Sequence, residues 1–266
     1  MRDESDVAGV VRVETAGATR IVTIDRPEAR NALTMGVLRG LTQALRSASM
    51  DGAVRCVVLT GAQGHFCAGA DLRQNFIDDP QMMDHLEEHL DAFHGLIRGV
   101  VGCEKPTIAM MDGAAVGFGA DLAFACDLRV ASTSAYAQEK FVKIGLMPDG
   151  GGTFWLPRLV GTAKAMQMIL LAEKIDAGEL LALGAVARVV EPDALLAATL
   201  EVAKTLEAGP PLAHAAIKRA LYASWGSLEE ALGREREEQL KLLRSADSTE
   251  GVMAWMQKRA PRFQGK

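Results

Sequence analysis

The sequence has no run of apolar residues near the ~20 a bilayer-spanning helix needs, and no CxxC pair. Its four cysteines, Cys56, Cys67, Cys103 and Cys126, each stand beside apolar neighbours. They read as small core residues rather than metal ligands or bridges. The first residues, Met1 to Asp6, are acidic and carry no apolar stretch, so no secretory leader is expected and a cytoplasmic location is. Positive charge is not concentrated either: 29 Lys and Arg stand against 34 Asp and Glu, a net charge of −5. That excludes nucleic-acid binding as a main function, since it requires a basic face. Three motifs are missing as well. No Gly-Lys-Ser/Thr follows a turn, Gly117-x-Gly119 is followed by Leu122 instead of a third glycine, and there is no G-x-S-x-G elbow. A P-loop, a complete dinucleotide fingerprint and an α/β-hydrolase nucleophile are thereby ruled out. His85 and His89 lie four apart without a third ligand, so no metal is expected.

What is present is an ordinary globular composition, 49% hydrophobic and 24% charged, long enough to bury a large core. Val10–Glu14 and Thr19–Asp25 alternate and read as a hairpin through Ala16-Gly17-Ala18. Thr34 is the expected N-cap of a helix to about Ala48, with Leu38, Leu41 and Leu45 on one face. Arg55–Thr60, almost wholly apolar, predicts a strand covered on both sides as in a parallel sheet. A helix is expected from about Asp79 to Gly102, with Leu86, Leu90, Phe93, Leu96 and Ile97 on one face. Strands follow at Lys105–Met111, from Leu128, and at Val186–Glu191. From Ala194 the pattern is all helical. The fold class is therefore α/β, with a core over 1–193 and a helical region over 194–266.

Three glycine-bearing turns follow predicted strands: 65–72 (HFCAGADL), 112–121 (DGAAVGFGAD) and 145–153 (GLMPDGGGT). Small residues let a backbone approach a ligand closely, and a helix N-terminus offers unpaired N–H donors. Two such loops facing each other would give two donors to one developing oxyanion. The same composition equally suits turns that merely pack close. Asp149 sits between a proline and three glycines, where a carboxylate is either held for chemistry or simply caps a turn.

Read together and in order, these segments resemble the crotonase (enoyl-CoA hydratase/isomerase) superfamily along nearly the whole chain. The matching stretches are IDRPEARNAL (24–33), VVLTGAQGHFCAGADL (57–72), KPTIAMMDGAAVGFGADLAFACDLRVAS (105–132), KIGLMPDGGGTFWLPRLVG (143–161) and WMQKRAPRF (255–263). The resemblance implies a spiral of ββα units with a C-terminal helical trimerisation region, and homotrimers or hexamers. It implies a coenzyme A thioester as substrate and no separate cofactor. The thioester oxygen would lie on the N–H groups of Ala70 and Phe118. Arg30, Ala32, Ala68, Asp71 and Leu72 would contact coenzyme A. Lys258, with Trp255, would reach a coenzyme A phosphate, often of a neighbouring subunit. Phe66, Phe141 and Trp155, with Met82, Met83 and the Phe118 ring, are candidates for an apolar acyl pocket, or for core.

Departures from the family pattern bear on the chemistry. Hydratases of the family carry two glutamates; the first position is Asp121 here and the second is Phe141, which cannot act as acid or base. Glu139, two residues earlier and on the same parity if the strand continues, is a displaced substitute. Asp149 matches the enoyl-CoA isomerases, in which an acidic residue of this turn moves a proton along the acyl chain. The region 141–161 is similar to the ring-opening isomerase of phenylacetate breakdown. Isomerisation with Asp149 as base is the leading expectation. Hydration by Asp121 with Asp149 or Glu139 is the alternative, and acyl-CoA dehalogenation or non-catalytic acyl-CoA binding are minor ones. Asp121 is either a second acid/base or a brace for the oxyanion turn.

Overall fold

A computed structural model describes residues 10–74, 78, 82–223 and 227–266. The acidic N-terminus and the start of the helix expected from Asp79 lie outside the described residues. The opening hairpin is β1 (Val11–Ala16) against β2 (Thr19–Ile24), paired antiparallel. The first helix, α1 (Met35–Met50), is capped as expected: the Thr34 side chain accepts the Val37 N–H at 3.3 Å. Its stripe of Val37, Leu38, Leu41, Ala44, Leu45 and Ala48 is buried, each leucine contributing about 2 kcal/mol of apolar burial.

Parallel strand β3 (Cys56–Gly61) follows, buried from Cys56 to Thr60. A single 3-10 turn, Met82–His85, precedes α2 (Leu86–Gly102). Only the later part of the α2 stripe, Phe93, Leu96 and Val100, enters the core; Leu86 and Leu90 are 37% and 42% exposed. Next come β4 (Thr107–Met111), β5 (Ala114–Val116) and α3 (Phe118–Ala125), one complete ββα unit. The next unit opens with β6 (Leu128–Ser132) and β7 (Tyr136–Gln138). Beyond a 3-10 turn at Phe141–Ile144 lie α4 (Gly152–Val160), α5 (Thr162–Leu171), β8 (Lys174–Asp176), α6 (Ala177–Ala182) and β9 (Arg188–Val190). The chain ends with α7 (Leu195–Glu207), α8 (Pro211–Ala223), α9 (Leu228–Leu242) and α10 (Ala246–Met256).

Two sheets result. The larger has the order β1-β2-β3-β4-β6-β9, parallel from β2 onward. The smaller, β5-β7-β8, was not anticipated, because three-residue strands carry too little periodicity to stand out. The strand parity expected to link Glu139 and Phe141 does not exist. Strand β7 ends at Gln138 and a 3-10 turn begins at Phe141, so the two side chains go to different places.

One face of the large sheet carries α1, α2 and α3. The other is covered by α7, whose Leu195, Ala198 and Ala203 pack on Cys56, Val58, Ile108 and Val130. The helix that opens the expected C-terminal region is thus a layer of the core. All four cysteines are buried and free, and burial pushes the thiols of Cys56, Cys67 and Cys126 up to about 12, as inert core residues. No helix among the described residues is long and apolar enough to cross a membrane.

One ionic cluster fastens α8 to the sheet. Asp127 accepts hydrogen bonds from the Thr107 N–H (2.7 Å) and hydroxyl (2.9 Å), from Lys218 Nζ (2.6 Å) and from the Tyr222 hydroxyl (2.8 Å). Removing one partner of a buried pair leaves an uncompensated charge. Lys218→Ala should therefore destabilise the fold by about 3 kcal/mol, read as a lower midpoint of urea unfolding; an unchanged midpoint would mean that the cluster is idle.

Candidate active site

The site begins with three backbone segments laid side by side. Leu33 N–H donates to Gly69 O (2.8 Å) and Asp71 N–H to Leu33 O (2.9 Å), a parallel bridge centred on Ala70. Cys67 N–H donates to Ala114 O (2.9 Å) and Val116 N–H to Cys67 O (2.9 Å), a second bridge centred on Cys67 and Ala115. The residues flanking Ala70 make the bonds to Leu33, so the Ala70 N–H faces the other way by strand alternation. Phe118 is the first residue of α3, and its N–H has no acceptor within the helix. Gly69 brings the two loops together. It has φ of 89°, and a Cβ there would stand 2.7 Å from Val116 O and 3.4 Å from Phe118 N. Only glycine meets both constraints.

The loop is fastened from the side by Arg26 and Asn31. Arg26 Nη1 donates to Ala32 O (2.8 Å) and to Asp71 Oδ2 (3.0 Å). The buried Asn31 amide, at φ of 59°, donates to Ala62 O (2.9 Å) and His65 O (2.7 Å). Arg30 O accepts the Ala68 N–H at 3.0 Å. Five expected coenzyme A contacts, Arg30, Ala32, Ala68, Asp71 and Leu72, therefore gather in one region. Of these, Ala68 and Leu72 line the adjoining cavity, while Asp71 is engaged by Arg26.

That cavity holds about 650 Å³. Ala70, Phe118, Phe141 and Asp149 all line it, with Leu86, Leu90, Leu146 and Met147 among its apolar walls. This explains the exposed leading turns of α2: Leu86 and Leu90 are cavity wall rather than core. Two of the acyl-pocket candidates lie elsewhere. Phe66 is fully buried in the core. Trp155 turns back on α4, its indole N–H donating to Gly150 O at 3.3 Å and its ring meeting Phe154 and Tyr222 edge-on; neither lines the cavity. The side chains of Met82 and Met83 lie outside the described residues. The Phe118 ring packs edge-on against Phe93, centroids 4.7 Å apart. Trp255 is 82% exposed.

Three carboxyl groups converge beside the oxyanion turn. Asp149 lies on the cavity, and its Oδ1 is buried without a hydrogen-bond partner. It is not a helix cap, because Gly151 caps α4. Burial raises its pKa, partly opposed by the nearby His94 of α2. Asp121, on α3, is fully buried and does not line the cavity. Its Oδ2 accepts the Gly150 N–H at 2.8 Å, bracing the turn that carries Asp149. Gly150 is required there, since a Cβ would come within 2.5 Å of Asp121 Cβ. Burial drives the Asp121 carboxyl up to about 7, against the pull of the Gly150 N–H, with the Asp149 charge pushing it further. Glu139 is 1% exposed. Burial first, then the charges of Asp121 and Asp149, push it well above the usual carboxylate range. His94 gave no sequence signal, because it lies 55 positions before Asp149 and no motif contains it. Lys140 and Lys143, also lining the cavity, were likewise not singled out.

A match to the enoyl-CoA hydratase/isomerase family covers residues 14–266. The chain belongs to that family. Within it, the chain is 40% identical to a probable enoyl-CoA hydratase of Rhodobacter capsulatus over 258 residues, 96% of this chain and 98% of the relative. It is 36% identical to the 1,2-epoxyphenylacetyl-CoA isomerase of Escherichia coli, covering 92% and 94% of the two chains. A crystal structure of an enoyl-CoA hydratase from Polaromonas sp. JS666 superposes with a TM-score of 0.91 at 33% identity, over 95% of this chain and 99% of that one. The crotonase fold expected from sequence is therefore the fold observed, and the enzyme handles acyl-CoA. Among the described residues no group of three or more His, Cys, Asp or Glu could hold a metal ion.

The raised Asp121 carboxyl makes stability depend on pH. A folded-state value near 7 against an ordinary 3.8 means that its contribution is full below 3.8 and is lost as pH rises through about 7. Asp121→Asn cannot ionise. The melting temperature of the wild type relative to this variant should therefore fall between pH 5 and pH 8, flattening above that, in paired thermal melts. A pH-independent difference would show that Asp121 ionises normally.

Proposed function

We propose that this family member is an enoyl-CoA isomerase that moves a double bond into conjugation with the thioester. Asp149 carries the proposal: among the described residues lining the cavity it is the one carboxyl group, beside the N–H groups of Ala70 and Phe118. The thioester oxygen rests on those two N–H groups. The Asp149 carboxylate takes a proton from C2 of a 3-enoyl thioester, leaving a dienolate whose charge the two donors stabilise, each by about 3 kcal/mol. The same carboxyl returns the proton at C4, giving the 2-enoyl thioester. Burial of Asp149 favours this exchange, since a base with a raised pKa gives a conjugate acid matched to a weakly acidic carbon. Phe141 lines the same cavity and offers no group to orient water.

Hydration is the second reading. It is supported by the names of most relatives, such as the Rhodobacter capsulatus protein, and by the clustering of Asp121 and Glu139 near Asp149. Against it stands the burial of both, since an attacking water would need two carboxyls on the cavity. We further propose a cytoplasmic homotrimer or hexamer. The apolar side chains exposed on α8 to α10, including Ile217, Leu221, Val252 and Trp255, would meet neighbouring subunits, and Lys258 would reach a coenzyme A phosphate across that boundary.

With 3-enoyl-CoA, absorbance of the conjugated thioester should rise; a fall with 2-enoyl-CoA and no rise from the 3-enoyl isomer would instead establish hydration. Asp149→Asn should lower kcat by at least about 100-fold, a general-base loss, with coenzyme A thioester affinity nearly unchanged by calorimetry. Retention of most activity would remove Asp149 from the mechanism.

A further inference from the structure

We propose that Glu139 is a positioning residue that stays protonated and, paired with Asp121 behind Asp149, keeps the site to a single negative charge at the cavity. The role rests on Asp149 acting as the proton shuttle proposed above. Glu139 lies just beyond β7, is 1% exposed, and lines no part of the cavity. Neither of its oxygens, nor Asp121 Oδ1, has a partner in normal hydrogen-bond geometry, yet the two carboxyls lie close enough to govern each other's protonation. Two adjacent buried carboxylates with three unpartnered oxygens would be untenable as a doubly charged pair. A shared proton removes one charge and supplies a donor.

The order of protonation follows from the surroundings. Asp121 accepts the Gly150 N–H, which favours its charged form; Glu139 has no such donor and is the better keeper of the proton. The charged or titratable group facing both is Asp149, from the turn ahead of α4. His94, from α2, faces Asp149 in turn. Among the described residues no salt bridge or hydrogen bond joins a cation to Asp121 or Glu139, so a proton is left to neutralise the pair. The consequence reaches the reaction through the backbone. Asp121 holds the Gly150 N–H, and Gly150 adjoins Asp149, so a pair that loses its proton pushes apart against the turn on which the base is mounted.

Two measurements test this. Infrared spectra of protein labelled with carboxyl-13C glutamate alone, without substrate, should show an isotope-shifted protonated buried carboxyl at neutral pH that disappears in Glu139→Gln. Absence of that band from the wild type, or its persistence in the variant, overturns the proposal. This readout does not involve turnover, so it stands or falls separately from the isomerase assay. Kinetically, Glu139→Gln keeps a neutral donor of the same shape and should retain kcat within about threefold, whereas Glu139→Leu should lose at least about tenfold in kcat at similar KM. If Gln is as damaging as Leu, Glu139 works as an anion; if Leu is as active as Gln, it only fills space. Either result overturns the proposal.

Discussion

Everything chemical in this protein depends on how closely two backbone loops can approach. The strands that bring residues 67–70 and 114–118 together belong to different parts of the chain, and the contact between them is made by main-chain hydrogen bonds rather than by side chains. Such bonds set a spacing that a side chain cannot vary. Gly69 permits the approach because the position its Cβ would take lies between Val116 O and Phe118 N. The outcome is two outward N–H groups held by the rigidity of two sheets. In the proposed reaction, donors aimed in advance would cost no reorganisation when the enolate charge appears, and that advance orientation would supply most of the stabilisation.

A site that collects positive dipole ends can hold an anionic intermediate, but it must also hold an anionic base without being swamped by negative charge. The molecule solves this by depth. Asp149 reaches the cavity, while Asp121 and Glu139 lie behind it in the interior, where burial raises both carboxyls above the usual range. Asp121 then links the two halves of the site. It belongs to the same short helix α3 that begins with Phe118, the proposed oxyanion donor, and it bonds to the turn that carries Asp149, the proposed base. The distance from donor to base is thereby set by one eight-residue helix and one hydrogen bond.

The parts of this arrangement that were legible in the sequence are those with a local signature. The Thr34 cap, the apolar run of β3 and the three glycine turns each show in a few consecutive residues. The ordered set of motifs identified the family. What was not legible came from distant pairings or from irregular backbone. Phe66 and Trp155 have the composition of a pocket, but Phe66 points into the core from its loop and Trp155 is turned back by its own bond to Gly150. Glu139 and Phe141 share a parity only if the strand continues, and the 3-10 turn at Phe141 sends one inward and the other to the cavity. The nearness of His94 to Asp149 joins a helix to a turn far along the chain, a relation only the folded structure contains.

The choice between moving a double bond and adding water comes down to how many groups the cavity offers to a small polar molecule. Addition requires a water held between two acid/base groups on one face of the substrate, with one giving and the other taking a proton. Isomerisation requires one carboxyl able to reach two carbons, and walls that keep water away while the dienolate exists. Here the cavity is walled mainly by apolar side chains, among them Leu86, Leu90, Phe93, Phe141 and Leu146, with His89, Lys140 and Lys143 also on its lining. Its one carboxyl has an oxygen left without a protein partner. An unpartnered oxygen on a carboxyl facing an apolar cavity is costly to maintain, and the proposed isomerisation gives it a use, accepting a proton from carbon. The aromatic ring of Phe141 serves the same end by occupying a wall where a second acid would otherwise hold water. Under the isomerase proposal, the two departures from a two-glutamate site, a shorter buried Asp121 and an inert Phe141, are consistent parts of a site built around a single mobile proton.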